Sequence, residues 1–87
     1  MGSGEAVNCD RATVQRLTAP QLAALCERVE KELAMSGALF AFSHHQSETW
    51  LLFGRALSQY ERQTMERAYK STMEGHGVMN ATIVWML

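Results

Sequence analysis

The chain divides into helical and extended segments according to the spacing of its apolar residues. Between residues 18 and 37, apolar side chains recur every three or four positions and charged side chains fill the opposite side. This pattern predicts an amphipathic helix. Thr18 and Gln21 have the spacing of a capping box at its start, and Gly37 supplies its end. The apolar stripe consists of Leu22, Leu25, Cys26, Val29 and Leu33.

A β-hairpin and a second helix are predicted next. Residues 38 to 44 and 49 to 56 are short apolar segments joined by a polar turn, which is typical of two antiparallel strands. Ser58 and Glu61 form a second capping box. A helix is therefore predicted from that point to about Met73.

The two ends of the chain decide how the sheet is built. Residues 78 to 87 are largely apolar and are predicted as a third strand, whereas residues 10 to 17 fit a short helix or a short strand. The order α-β-β-α-β predicts a two-layer α+β domain with a three-stranded mixed sheet and both helices on one face. We expect the third strand beside the first strand of the hairpin, as in a split β-α-β unit.

Composition indicates one small globular domain. Of the 87 residues, 47% are apolar and the net charge is −1, which excludes a disordered chain. Residues 1 to 9 are small and polar and are predicted as a flexible leader, so residues 10 to 87 form the single α+β domain. No signal-peptide pattern or membrane-spanning stretch is present in the sequence. We therefore expect a cytoplasmic protein with free thiols at Cys9 and Cys26.

The strands carry more apolar residues than one covered face requires. In the segment 49 to 56, large apolar side chains occupy successive positions and therefore point to both faces of a sheet. Two helices cover only one face, so the other is expected to expose an apolar patch that marks an interaction site. The alternative is that the N-terminal segment or a tilted helix covers it. The predicted partner-binding residues are Trp50, Phe53, Trp85 and Leu87.

The leading functional hypothesis is a small non-enzymatic regulator or stoichiometric inhibitor that binds another protein. A homodimer is expected, formed either face to face or by edge strands that pair across a twofold axis. Such a dimer would add stability to a domain of this size. Small proteins without motifs are often encoded by phages or other mobile elements, although no residue here shows such an origin.

The alternative hypothesis is a nucleic-acid-binding domain. Basic residues in and near the second helix could contact phosphates, but acidic residues between them interrupt a basic stripe. The net charge of −1 also favours a protein partner over a nucleic acid. The basic residues in question are Arg55, Arg62, Arg67 and Lys70.

Candidate chemistry is sparse in the sequence. His44, His45 and His76 support a weaker ligand or metal hypothesis, but His44 and His45 are adjacent and so point to opposite faces of a strand. Ser43 is only a sequence neighbour of His44, and no nucleophile-elbow motif accompanies the pair. We predict no enzyme activity, no catalytic residue, no metal, no cofactor and no membrane partner.

Overall fold

The computed structural model describes residues 9–33 and 39–86. Within these residues the chain forms four strands and two helices in the order β-α-β-β-α-β. Most of the predicted leader, the predicted helix stop Gly37 and the last residue, Leu87, lie outside the described residues. The elements are β1 (Arg11–Gln15), α1 (Ala19–Leu33), β2 (Leu39–His45), β3 (Glu48–Phe53), α2 (Gln59–Gly75) and β4 (Val84–Met86).

The four strands form one antiparallel sheet in the order β2-β3-β1-β4. β1 lies inside the sheet, where Thr13 pairs with Trp50 of β3 on one side and with Val84 of β4 on the other. β3 and β4 therefore run parallel to each other with β1 between them. Likewise, β1 and β2 run parallel to each other with β3 between them. This doubled split β-α-β arrangement is the ferredoxin-like topology.

The predicted α+β class with two helices is confirmed, but the predicted three-stranded mixed sheet is wrong. Residues 10 to 17 supply a fourth, central strand, which pairs with β3, the second strand of the hairpin. The last strand was expected on the outer side of β2, where no strand lies among the described residues. β4 therefore pairs with β1 instead of with a hairpin strand. The last strand is also shorter than predicted, since it begins only at Val84. The residues before it form an irregular segment, from which Ala81 and Ile83 pack against the core.

The hydrophobic core lies between the sheet and the two helices. Alternate residues of the inner strands, such as Val14 and Leu51, belong to one buried cluster with the apolar stripes of both helices. The positions between them must therefore point to the opposite face of the sheet. The strand and helix members of this cluster are Ala12, Val14, Leu51 and Phe53 from the sheet, Leu22, Leu25 and Val29 from α1, and Met65, Tyr69 and Met73 from α2.

Both capping boxes predicted from the sequence are present. The Thr18 N–H donates to Gln21 Oε1 at 2.9 Å, and the Gln21 N–H donates to Thr18 Oγ1 at 3.2 Å. The Ser58 N–H donates to Glu61 Oε1 at 2.8 Å, and the Glu61 N–H donates to Ser58 Oγ at 3.1 Å. These reciprocal bonds satisfy backbone donors that a helix leaves free in its first turn, so they fix where α1 and α2 begin.

Asp10 connects the start of β1 to the end of β3 and the start of α2. Its backbone carbonyl accepts from the Phe53 N–H at 3.1 Å, and its Oδ2 accepts from the Leu57 N–H at 2.9 Å. Arg62 Nη1 lies 3.7 Å from the same Oδ2 and donates to the Leu57 carbonyl at 2.8 Å. One carboxylate therefore holds the β3–α2 connection against the central strand.

Replacing this carboxylate tests its role. Asp10→Ala should lower the free energy of unfolding by about 1–2 kcal/mol, because the Leu57 N–H and Arg62 both lose their acceptor. Asp10→Asn should cost less, because its amide oxygen still accepts from the Leu57 N–H. Urea denaturation of the three proteins measures the difference. Equal losses in both variants would contradict a role for the hydrogen bond.

Candidate interaction surface

The face of the sheet turned away from the helices is the candidate functional site, and we call it the open face. The strand register determines which residues reach it, because paired residues of antiparallel strands point to the same side. Its members are Arg11, Thr13 and Gln15 from β1, Ala41, Ser43 and His45 from β2, Glu48, Trp50 and Leu52 from β3, and Val84 and Met86 from β4.

The centre of the open face is apolar. Trp50 and Leu52 of β3 are half-buried, whereas Val84 and Met86 of β4 are 57% and 38% exposed. Thr13 of β1 lies between these two strands, yet only 9% of its surface is exposed. The neighbouring side chains therefore close over Thr13, which joins the β3 and β4 contributions into one surface.

The hairpin end of the open face holds Trp50 in place. Its Nε1 donates to Glu48 Oε2 at 3.2 Å, and its ring meets the His45 ring edge-on with centroids 5.9 Å apart. His45 Nε2 in turn lies 2.9 Å from Ser43 Oγ. These contacts orient the indole at the surface without burying it.

The Ser43–His45 contact brings a hydroxyl and an imidazole together, a pairing that was not predicted from the sequence. In a Ser-His-acid arrangement a carboxylate orients the imidazole through its second nitrogen. Here the nearby Glu48 carboxylate accepts from the Trp50 indole N–H instead. The open face thus provides contact area and hydrogen-bonding groups.

The three histidines have separate surroundings. His44 points to the helix side of the sheet, where its Nδ1 lies 2.9 Å from Thr49 Oγ1, an oxygen that also accepts from the Leu17 N–H at 3.0 Å. His45 points to the open face, and His76 is the C-cap of α2. Among residues 9–33 and 39–86, no group of three or more His, Cys, Asp or Glu side chains is placed to hold a metal ion.

The structure separates the residues predicted to bind a partner. Trp50 lies on the open face, but Phe53 is fully buried among the core residues. Trp85 lies on the helix side, with its ring 5.6 Å from that of Phe53 and its Nε1 donating to Glu66 Oε2 at 2.8 Å. Trp50 is therefore accessible at the surface of the folded domain and Phe53 is not, while Leu87 lies outside the described residues.

The basic residues of the nucleic-acid hypothesis are partly engaged within the chain. Arg55 Nη2 lies 2.7 Å from Glu61 Oε2, and Arg62 contacts Asp10. The hydrogen bond from Arg55 lowers the pKa of the Glu61 carboxyl, so this pair stays ionised at neutral pH. Acidic partners therefore offset the positive charge near the start of α2. The other two members of the set, Arg67 and Lys70, lie on exposed positions further along α2.

Both cysteines are free and half-buried. Burial raises the pKa of the Cys26 thiol, and the charge of Glu30 raises it further. The thiol is therefore protonated at neutral pH and packs as a small apolar side chain instead of acting as a nucleophile.

Comparison with protein families, curated proteins and solved structures found no match for this chain. Neither α1 nor α2, the helices in the described part of the chain, is long and apolar enough to cross a membrane. The assignment of the open face as the candidate site rests on the strand register and the exposure of its side chains.

Two alanine substitutions test the assignment of the two faces. Phe53→Ala should lower the free energy of unfolding by about 3–5 kcal/mol, because it leaves a cavity in the core. Trp50→Ala should lower the free energy of unfolding clearly less, because this side chain is half-exposed and points away from both helices. Denaturation of both variants and the parent protein measures the contrast. A larger loss for Trp50→Ala than for Phe53→Ala would contradict the assignment.

Proposed function

We propose that the protein is a non-enzymatic, cytoplasmic regulator or stoichiometric inhibitor that works as a homodimer and binds its partner protein through the open face. The observation that carries this proposal is the apolar centre of that face in a sheet whose two helices pack on the other side. Contiguous apolar patches on soluble domains mark protein interaction sites. The residues at this centre are Trp50, Leu52, Val84 and Met86.

Trp50 has the properties of a binding anchor. Tryptophan is enriched among the residues that contribute most to protein interfaces. The contacts of Trp50 with His45 and Glu48 already fix its ring, so binding costs little additional side-chain entropy. A partner that covers this ring gains apolar area without having to order it first.

Polar groups surround the apolar centre at both ends of the central strand. Arg11 lies at one end of β1, where it pairs with Leu52 on one side and Met86 on the other, and Gln15 pairs with Glu48 at the other end. These ends are separated by roughly 13 Å along the strand. An apolar centre with a charged rim is the common anatomy of protein interfaces, and the two charges would orient a partner along the strands.

Capture of a partner from extracts of the source cells tests the open face. Immobilised parent protein should retain a specific protein, and Trp50→Lys should retain at least about tenfold less, because it places a charge at the centre of the contact. Tyr60→Lys is the matched control, since Tyr60 is an aromatic residue on α2 that is 70% exposed. Circular dichroism verifies that both variants are folded.

The outcome separates the competing functions. Equal retention of the same protein by all three baits contradicts a role for the open face. Retention of RNA or DNA that weakens steeply with salt, and that Lys70→Glu with Arg67→Glu abolishes, supports the nucleic-acid alternative instead.

A further inference from the structure

β2 is an edge strand of seven residues with an unpaired outer side. The sheet order places β2 at one end and β4 at the other, and β2 pairs with β3 alone among the described residues. β4, the opposite edge, has only three residues. An edge strand presents a row of backbone N–H and C=O groups that bind another strand.

β2 has only one of the features that protect such an edge in monomeric proteins, and that one lies near its start. Edge strands are usually kept from pairing by charged side chains, by proline, by a short length or by a β-bulge. The segment Leu39–His45 contains no Lys, Arg, Asp, Glu or Pro. One irregularity in its pairing with β3 lies near the start of the strand, between Leu39 and Ala41. The remainder of β2 is therefore open to pairing.

Phe42 adds an exposed aromatic side chain to this edge. It pairs with Leu51, which is fully buried beneath the helices, yet Phe42 itself is 47% exposed. Its ring lies 5.4 Å from that of His44 on the same side of β2. The helix layer therefore leaves Phe42 partly uncovered, so an aromatic strip lies beside unpaired backbone.

We propose that β2 pairs antiparallel with β2 of a second copy across a twofold axis, so that two four-stranded sheets join into one of eight strands. This inference rests on the homodimer in the proposed function and selects its geometry. A second copy suits the edge because a strand without Lys, Arg, Asp or Glu sets none of their charges against itself, and antiparallel self-pairing gives both copies identical bonds. The axis runs perpendicular to the sheet, so both open faces lie on the same side and stay accessible.

A register centred on the midpoint of β2 places Phe42 at the twofold axis. It sets Ala41 against Ser43 of the partner subunit, and Phe42 against Phe42 of the partner subunit, within the part of β2 that follows the irregularity. A cross-strand aromatic pair stabilises adjacent strands. The exposed side chain of Phe42 is thus covered by its own symmetry mate.

Charge substitutions at the axis test this geometry. Phe42→Lys and Phe42→Glu each set two like charges opposite each other, so each should raise the dimer dissociation constant about tenfold or more. An equimolar mixture sets Lys against Glu and should recover most of the association of the parent protein. Sedimentation equilibrium over a range of concentrations measures all three samples. Tyr60→Lys, with the same charge on α2, should associate like the parent protein.

Recovery in the mixture supports the inference, because two misfolded variants would not restore each other. A parent protein that dimerises, with both Phe42 variants unchanged, overturns the edge geometry and leaves the homodimer intact. Association that instead fails in Trp50→Lys indicates a face-to-face dimer and also overturns the inference. A parent protein that stays monomeric at high micromolar concentration overturns the homodimer itself, while partner capture through Trp50 remains a separate result.

Discussion

The two helices pack on one face of the sheet, and this one-sided packing determines the surroundings of every strand residue. Leu51 is fully buried beneath the helices, whereas its sequence neighbours Trp50 and Leu52 point away from them. The same alternation places Thr13 on the open face between two buried residues of β1. An apolar open face, and with it the proposed protein contact, follows from this arrangement because both faces of β3 are apolar.

Local signals in the sequence predicted the helices and the hairpin well. Capping boxes depend on side chains three positions apart, so Thr18 and Ser58 locate helix starts without knowledge of the fold. The central strand was ambiguous because five residues hold too few apolar positions to separate the two periodicities, and its pairing with β3 and β4 decides its structure. The segment predicted as a strand from residue 78 is interrupted at Asn80, which adopts a positive φ angle, and only Val84–Met86 pair with β1.

An exposed apolar surface was predicted from the sequence, but the residues that form it were not all predicted correctly. Alternation along β3 separates Trp50 from Phe53, yet it does not say which of the two meets the helices, since both are large and apolar. The register with β1 decides this, because Leu51 pairs with the buried Ala12. Val84 and Met86 join Trp50 only through the pairing of β4 with β1, a contact between distant parts of the chain.

In the proposed dimer, a second chain pairs with the outer side of β2. Amide hydrogen exchange of the unmodified protein, measured from dilute to concentrated solution, tests this most directly. Outward-facing amides of β2 should exchange more slowly as the concentration rises, while amides of β1 and β3 should not change, because these strands are paired on both sides at any concentration. Exchange in β2 that is equally fast at every concentration would contradict a second chain at this edge.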